Sequence, residues 1–336
     1  MKSFSLKGPA VKAFFGPNAL TLGNPFPPTP PPVGLSWTAR DPVDTGGNQL
    51  AQSLYANGVI IANDGQNVWR STDDGVTWTN VDTPPDGGLR QITYAGGGLW
   101  GIVGEIGGGS GYVIRSTDNG VSWSDEIGLP ATQISPIALA NNAAGTWMVG
   151  GGSGSGTNVN NYCRSTDNGL TWAQVATAHG SFFRMIWDGA QFVASTRIAA
   201  NAAISTSPTG VVWTDTLVST VNNYIFGLNF DGANYMICTD DQDTIRVSTT
   251  PAGLAVASDT DDGLTDGGSN YMQPGGGLIW VFGESGGVSS SSDEGATWTP
   301  NTLNFPDGDS AFACAYDSVN GVFVATGDEG DVSTQP

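Results

Sequence analysis

Apolar residues along this chain come in short alternating runs, separated by turns rich in Gly and Pro. The stretch 90–127 shows the pattern well: RQITYA (90–95), GLWGIVGE (98–105), GYVIRSTD (111–118) and SWSDEI (122–127). Alternation with a period of two marks a half-buried strand, and Gly between runs permits tight turns. The four runs predict four consecutive antiparallel strands, A to D, in one small sheet. The same order predicts further A strands beginning near Leu50, Ile134, Phe182, Tyr224, Asn270 and Ser310, which makes seven sheets. No long stretch carries apolar residues at helical spacing.

Within each unit a phrase recurs where strand C turns into strand D. It reads RSTDDGVTW at 70–78, RSTDNGVSW at 115–123, RSTDNGLTW at 164–172 and SSSDEGATW at 290–298. Weaker copies are STSPTGVVW at 205–213 and STTPAGLAV at 248–256. Ser and Asp side chains accept hydrogen bonds from the backbone of a tight turn, and Gly takes the positive φ that other residues resist. The Trp that follows is large enough to pack between neighbouring sheets. A β pattern repeating every 41–49 residues predicts an all-β, seven-bladed β-propeller of four-stranded blades. The seventh unit, SAFACAYD (310–317), GVFVATGD (321–328) and GDVSTQP (330–336), lacks its strand D. LSWTARD (35–41), with Ser36 and Trp37 in the Ser/Thr-Trp positions, resembles the second half of the phrase. Pairing it beside Ser333 would complete the blade and remove the open edges.

The phrase S-x-D-x-G-x-[TS]-W resembles the Asp-box, or BNR, repeat, over residues 33–336. That group includes sialidases, some glucan hydrolases, a photosystem-assembly factor, sortilin-type receptors and phage structural proteins. The resemblance implies a sialidase-like propeller whose boxes lie on the face away from any active site. It makes Ser71, Asp73, Gly75, Trp78, Ser116, Asp118, Gly120, Trp123, Ser165, Asp167, Gly169, Trp172, Ser291, Asp293, Gly295 and Trp298 scaffold residues. A sialidase would also need three arginines for the substrate carboxylate, a Tyr/Glu nucleophile pair and an Asp acid. Arg70, Arg115, Arg164 and Arg246 occupy repeat positions, which leaves Arg40, Arg90, Arg184 and Arg197, and the Arg-Ile-Pro-type motif is absent. No catalytic residue is assigned.

Charge narrows the function further. The net charge is −20, yet the only lysines, Lys2, Lys7 and Lys12, lie in residues 1–32, which hold no acid and carry +3. The remainder sets eight Arg against 31 acids, giving −23. Such a surface repels phosphates and argues against a nucleic-acid partner. It also fits poorly with the photosystem-assembly relative. No apolar run approaches the ~18 residues of a membrane span. The first twenty residues, broken by Lys, Gly and Pro, do not read as an export signal. Cys163, Cys238 and Cys314 each sit in a strand-like run and read as buried thiols rather than a disulfide or metal framework.

Three further groups are candidates for binding. Aligned B strands put Asp64, Glu105, Asp240, Glu284 and Asp328 near one strand end, on the face opposite the boxes. They read either as solvated loop acids or as a ring for a cation or polar ligand. The loop SDTDDGLTDGG (258–268) offers Asp259, Asp261, Asp262 and Asp266 as weak calcium ligands, though its spacing departs from the EF-hand. No other cofactor is expected. His179, the only histidine, reads as an exposed loop residue.

Residues 1–32 form a separate region with eight of the 19 prolines, including FPPTPPP at 26–32. Pro-rich segments act as semi-rigid spacers. Ahead of the spacer, Phe4, Phe14 and Phe15 alternate with Lys2, Lys7 and Lys12, a segment too small to bury itself and suited to docking on a partner. The expectation is a non-catalytic propeller tethered by this arm to other virion or assembly proteins. It would be a phage capsid, tail or baseplate component made in the host cytoplasm, with host-surface glycan a further contact. The alternative is an extracellular glycoside hydrolase, with a carboxylate pair and stacked aromatics in one cleft.

Overall fold

A computed structural model describes residues 36–336, apart from 107–109, 131–134, 143, 153–161, 176–178, 200, 220–223, 240–243, 262–263, 265–270, 284–286 and 306–309. The arm residues Lys2, Phe4, Lys7, Lys12, Phe14 and Phe15 lie outside the described residues, as do Asp240, Asp262, Asp266 and Glu284.

Seven four-stranded antiparallel sheets make the seven-bladed propeller. Six blades use four consecutive strands. The innermost strands are Gln52–Ala56, Leu89–Gly96, Pro136–Asn141, Ser181–Trp187, Ile225–Phe230, Tyr271–Gly275 and Ala311–Asp317, in blades 1 to 7. The core lies between blades, where buried aromatics such as Trp100, Trp147, Phe182 and Trp280 fill the gap between facing sheets.

The seventh blade is closed as the sequence pattern predicts. Thr38–Ala39 is its outermost strand, with Thr38 opposite Thr334 and Ala39 opposite Ser333. Trp37 is only 1% exposed and meets Trp280 edge-on at 5.2 Å and Phe282 at 5.8 Å. The Asn304 amide donates to the Trp37 carbonyl, and Arg40 Nε donates to Thr334 Oγ1 at 2.9 Å. Further on, Val43 N donates to Gly330 O and Leu50 N to Gly327 O, both at 2.9 Å, so the chain is stitched to blade 7 before blade 1 begins.

The repeated turns share one geometry. In blade 1, Ser71 Oγ accepts from Gly75 N at 3.0 Å and donates to Asp73, whose carboxylate accepts Thr77 N at 2.8 Å and Thr77 Oγ1 at 2.6 Å. Asp74 and Gly75 both take positive φ, 55° and 78°. The same bond from Gly to Ser Oγ closes the turns at Gly120, Gly169 and Gly295, each at 2.9 Å. Where Pro208 and Pro251 replace the Asp, the turn is rebuilt. Gly210 N reaches Ser207 only three residues back, and residues Ala252–Ala255 form a 3-10 helix that buries Leu254.

Two details depart from the sequence reading. Strand D of blade 2 is not 122–127 but the shorter Ile127–Gly128. The cause is local: Arg115 N donates to the Ser124 hydroxyl at 3.1 Å, so the ladder is interrupted where strand D would begin. The Trp after each turn is also a smaller wedge than expected. Trp78, Trp123, Trp172 and Trp298 are only half-buried, and the indoles of Trp78, Trp172 and Trp298 donate back to their own turn Gly. The deep wedges are instead the second-strand residues Trp100, Trp147 and Trp280.

Candidate functional site

Strict alternation in the innermost strands would point every second residue into the gap between blades. Five of these strands break it toward the same end; in blade 2 the slip between Leu89 and Ile92 leaves out Arg90 and Gln91, and the other four leave out one residue each. In those four the ladder slips between Pro136 and Ala138, Phe182 and Arg184, Ile225 and Gly227, and Ala311 and Ala313. Each of these slips is a β-bulge, which leaves one residue without a cross-strand partner and re-aims its side chain. The residues released are Ile137, Phe183, Phe226 and Phe312. All four line a cavity of about 470 Å³ where the central channel opens on the face away from the repeated turns. Phe226 is 37% exposed. Beside this rim Tyr224 stacks on Phe226 at 5.7 Å, and Phe183 meets Tyr224 edge-on at 5.2 Å. The Arg197 guanidinium lies 4.4 Å from the Tyr224 ring centre.

A second cavity of about 350 Å³ continues along the channel, and Gln52, Gln91 and Arg184 line both. These three form the neck. Gln91 reaches from blade 2 to blade 4, donating to Met185 O at 2.8 Å and accepting from Leu139 N of blade 3 at 3.2 Å. Arg184 crosses the channel from blade 4 to blade 1, donating from Nη1 to Gln52 Oε1 at 2.7 Å. Its Nε donates to Phe226 O at 3.1 Å, and its guanidinium sits 5.1 Å from the Tyr271 ring centre. Among the described residues no carboxylate pairs with it, the ion pairs being Arg90–Glu105, His179–Asp215 and Arg246–Asp259. Burial pulls the Arg184 guanidinium below its usual pKa, and burial pushes the Tyr271 phenol up to about 12 against the opposing pull of Arg184. The neck thus holds a half-buried cation whose partners are two neutral oxygens and an aromatic ring. The sequence reading left Arg184 as one of four spare arginines. The paired apolar residues FF at 182–183 and IF at 225–226 were the available signal for the bulged rim.

Of the five acids aligned at the strand ends, Asp240 and Glu284 lie outside the described residues and the other three differ in their surroundings. Asp64 is buried, and its carboxylate accepts Gln66 N at 2.8 Å, Asn67 N at 2.6 Å, Asn67 Nδ2 at 2.8 Å and Trp69 Nε1 at 2.9 Å. It is a turn-closing group with no capacity left for a ligand. Glu105 does line the mouth, held by Arg90 at 3.2 Å. Asp328 begins a 3-10 turn, its carbonyl accepting Asp331 N at 2.7 Å. Among the calcium candidates, Asp259 already pairs with Arg246 at 2.5 Å, and Asp261 belongs to the short strand Thr260–Asp261. No cluster of three ligating side chains occurs among the described residues.

His179 is a correction. It is only 8% exposed, stacked on Phe182 at 4.7 Å, with Nε2 2.9 Å from Asp215 Oδ1. Ser205 Oγ also donates to Asp215, at 2.7 Å. The bond to His179 holds the Asp215 carboxyl below its usual range, against burial and with help from Ser205. Ser205 bonds to the acid and not to the imidazole, so no nucleophile–base contact exists and the trio is a packing clamp. Cys163, Cys238 and Cys314 are buried, as their strand context predicts.

No family model matches the sequence. A Paenibacillus sp. xyloglucanase is 28% identical over 166 residues, which is 43% of this chain and 15% of that protein. The matched stretch is thus a small part of the xyloglucanase. Among solved structures, YCF48 bound to D1 peptide superimposes with TM-score 0.63 at 17% identity, covering 89% of this chain and 96% of that one. YCF48 from Cyanidioschyzon merolae gives 0.64 at 16%, covering 89% and 98%. The Neurospora crassa Pan2 WD40 domain gives 0.62 at 11%, covering 89% and 94%. At these identities the similarity concerns the fold, and the chain is a seven-bladed β-propeller.

Proposed function

We propose that this protein is a non-catalytic interaction propeller, mounted on a larger assembly through residues 1–32, and that the assembly is a phage virion. The observation that carries this reading is the geometry of the closure. Thr38 and Ala39 run antiparallel to Val332–Gln335, which places Ser36 at the face of the repeated turns. Ser36, the first described residue, lies at that face, while the aromatic channel mouth opens on the opposite one. A propeller tethered this way would hold its mouth outward, free for a partner. The structural similarity to YCF48, whose solved complex contains a peptide, supports an interaction role. The Asp-box likeness to phage structural proteins and the basic, Pro-rich arm support the virion reading. The test is mass spectrometry of purified particles carrying the full chain or a chain lacking residues 1–32. The full chain should travel with particles, and the truncated chain should be lost from them with its melting temperature unchanged. Equal retention of both chains, or the absence of both, would refute the tether.

A second reading, glycoside hydrolysis, draws on the similarity to xyloglucanase. Its acids would be Glu126 and Asp86, which share a hydrogen bond from Asp86 N to Glu126 Oε1 at 3.1 Å. Burial, then the neighbouring Asp86, push the Glu126 carboxyl upward, as a general acid requires. Turnover of a glucan or chromogenic-glycoside panel that Glu126→Gln abolishes would establish this reading over the first.

A further inference from the structure

We infer that the channel mouth is a binding site for the C-terminal end of a peptide chain, with Arg184 holding the terminal carboxylate and the bulged residues Ile137, Phe183, Phe226 and Phe312 holding the last apolar side chains. This goes beyond the tether, concerns the opposite face, and is tested on the free chain, so either proposal can fail alone.

Three observations lead to it. The first is the cation. Arg184 is a half-buried guanidinium with no carboxylate beside it among the described residues, in a protein where acids outnumber basic residues 31 to 11. The one described acid lining the mouth, Glu105, is engaged by Arg90. A half-buried guanidinium held by neutral acceptors alone keeps the capacity to pair with an incoming anion. Gln52 Oε1 now occupies the position from which a carboxylate oxygen would accept from Nη1. Guanidinium presents parallel N–H groups that suit two carboxylate oxygens better than one amide oxygen.

The second observation is the order of polarity along the cavity. The unpaired charge lies at the neck, and the lining outward is apolar and aromatic apart from the Arg90–Glu105 ion pair. A ligand matching that order has a single anionic end and an apolar body. A peptide terminus with aromatic or aliphatic final residues has that form, whereas a sugar carries hydroxyl groups all round. The cavity volume, about 470 Å³, falls in the ordinary range for small ligand sites. The third is regularity. The one-residue bulge recurs toward the same strand end in blades 3, 4, 5 and 7, and each time releases a large apolar residue toward the same opening.

The experiment titrates the full chain with fluorescein-labelled Gly-Leu-Phe in two forms, free acid and C-terminal amide, and reads anisotropy. The acid should bind roughly tenfold or more tighter than the amide. Arg184→Gln should bring the acid down to the amide's affinity, and Phe226→Ala should weaken both forms several-fold. Gln52→Ala, which removes the competing acceptor, should tighten the acid and leave the amide unchanged. That gain is not expected of a merely structural residue, so the test survives if Arg184→Gln folds poorly. Equal binding of acid and amide, no binding of either, or capture of xyloglucan oligosaccharides in place of the acid would overturn the proposal.

Discussion

The two faces of this propeller are built on opposite principles. On the turn face, Ser71, Ser116, Ser165 and Ser291 make the same bond to the same Gly, and the neighbouring Asp satisfies the same amides or hydroxyls. The Ser and Asp side chains of these turns hydrogen-bond within their own turn, while Arg70 and Arg164 reach the next blade's turn. On the mouth face, equivalent positions carry Ile137, Phe183, Phe226 and Phe312, and the side chains of Gln91 and Arg184 cross between blades. Repetition therefore marks the scaffold, and departures from it mark the surface that can recognise something. The acids of the repeat spend their carboxylate oxygens on the amides and hydroxyls of their own turns.

The sharpest way to break the scaffold is at its seam. Trp37→Ala removes a fully buried indole from between Trp280 and Phe282 and should cost about 3–5 kcal/mol in urea unfolding. A loss near zero would mean that Thr38–Ala39 does not close the ring. Deleting 33–41 should be more severe still and leave an aggregating chain, because an open edge is exposed.

A smaller effect should come from a single turn. Asp118→Ala withdraws the acceptor of Val121 N, Ser122 N and Ser122 Oγ, at positions that water can reach, and should cost on the order of 1 kcal/mol. The same turns predict acid sensitivity. Asp118 is drawn down to about 2 by the Ser122 hydroxyl and amide, and Asp167 to about 2 by those of Thr171. A carboxyl whose pKa is depressed on folding stabilises the fold above its unfolded pKa and loses that contribution as pH falls through its folded value. Melting temperature should therefore decline from about pH 4 toward pH 2, and Asp118→Ala should flatten that limb. An unchanged limb would show that the turn carboxylates are energetically idle.

The smallest effect should be a gain. Asp74 is pushed upward, first by burial and then by Asp317. Equivalent turn positions hold Asn119 and Asn168, and Asn tolerates the positive φ seen at Asp74. Asp74→Asn should stabilise the protein by about 0.5–1 kcal/mol at neutral pH. A folded pKa above the unfolded one means that the wild-type Asp74 becomes less unfavourable as pH falls through it. The advantage of Asn should therefore shrink in acid, and an advantage that grew instead would refute the like-charge explanation.

The scaffold was legible because its signals are local. A Ser, an Asp and a Gly at fixed spacing determine one turn, and Trp37 announced the missing strand by sitting in the same phrase. The mouth was not legible, because a bulge depends on how two strands align and not on either alone. Phe183 reads as one more alternating residue until the slip between Phe182 and Arg184 is seen. Asp64 misled for the converse reason: its spacing matched Glu105, but the amides and the indole N–H that consume it come from its own loop and strand. His179 misled because loop sequence alone did not reveal that Asp215 and Phe182 enclose it.

The division of labour between the faces is tested most directly by one calorimetric titration of the Gly-Leu-Phe acid into wild type, Arg184→Gln and Asp118→Ala, with each melting temperature recorded alongside. The account predicts that Arg184→Gln loses binding and keeps its melting temperature, while Asp118→Ala keeps binding and melts lower. Loss of binding in both variants, or in neither, would contradict it.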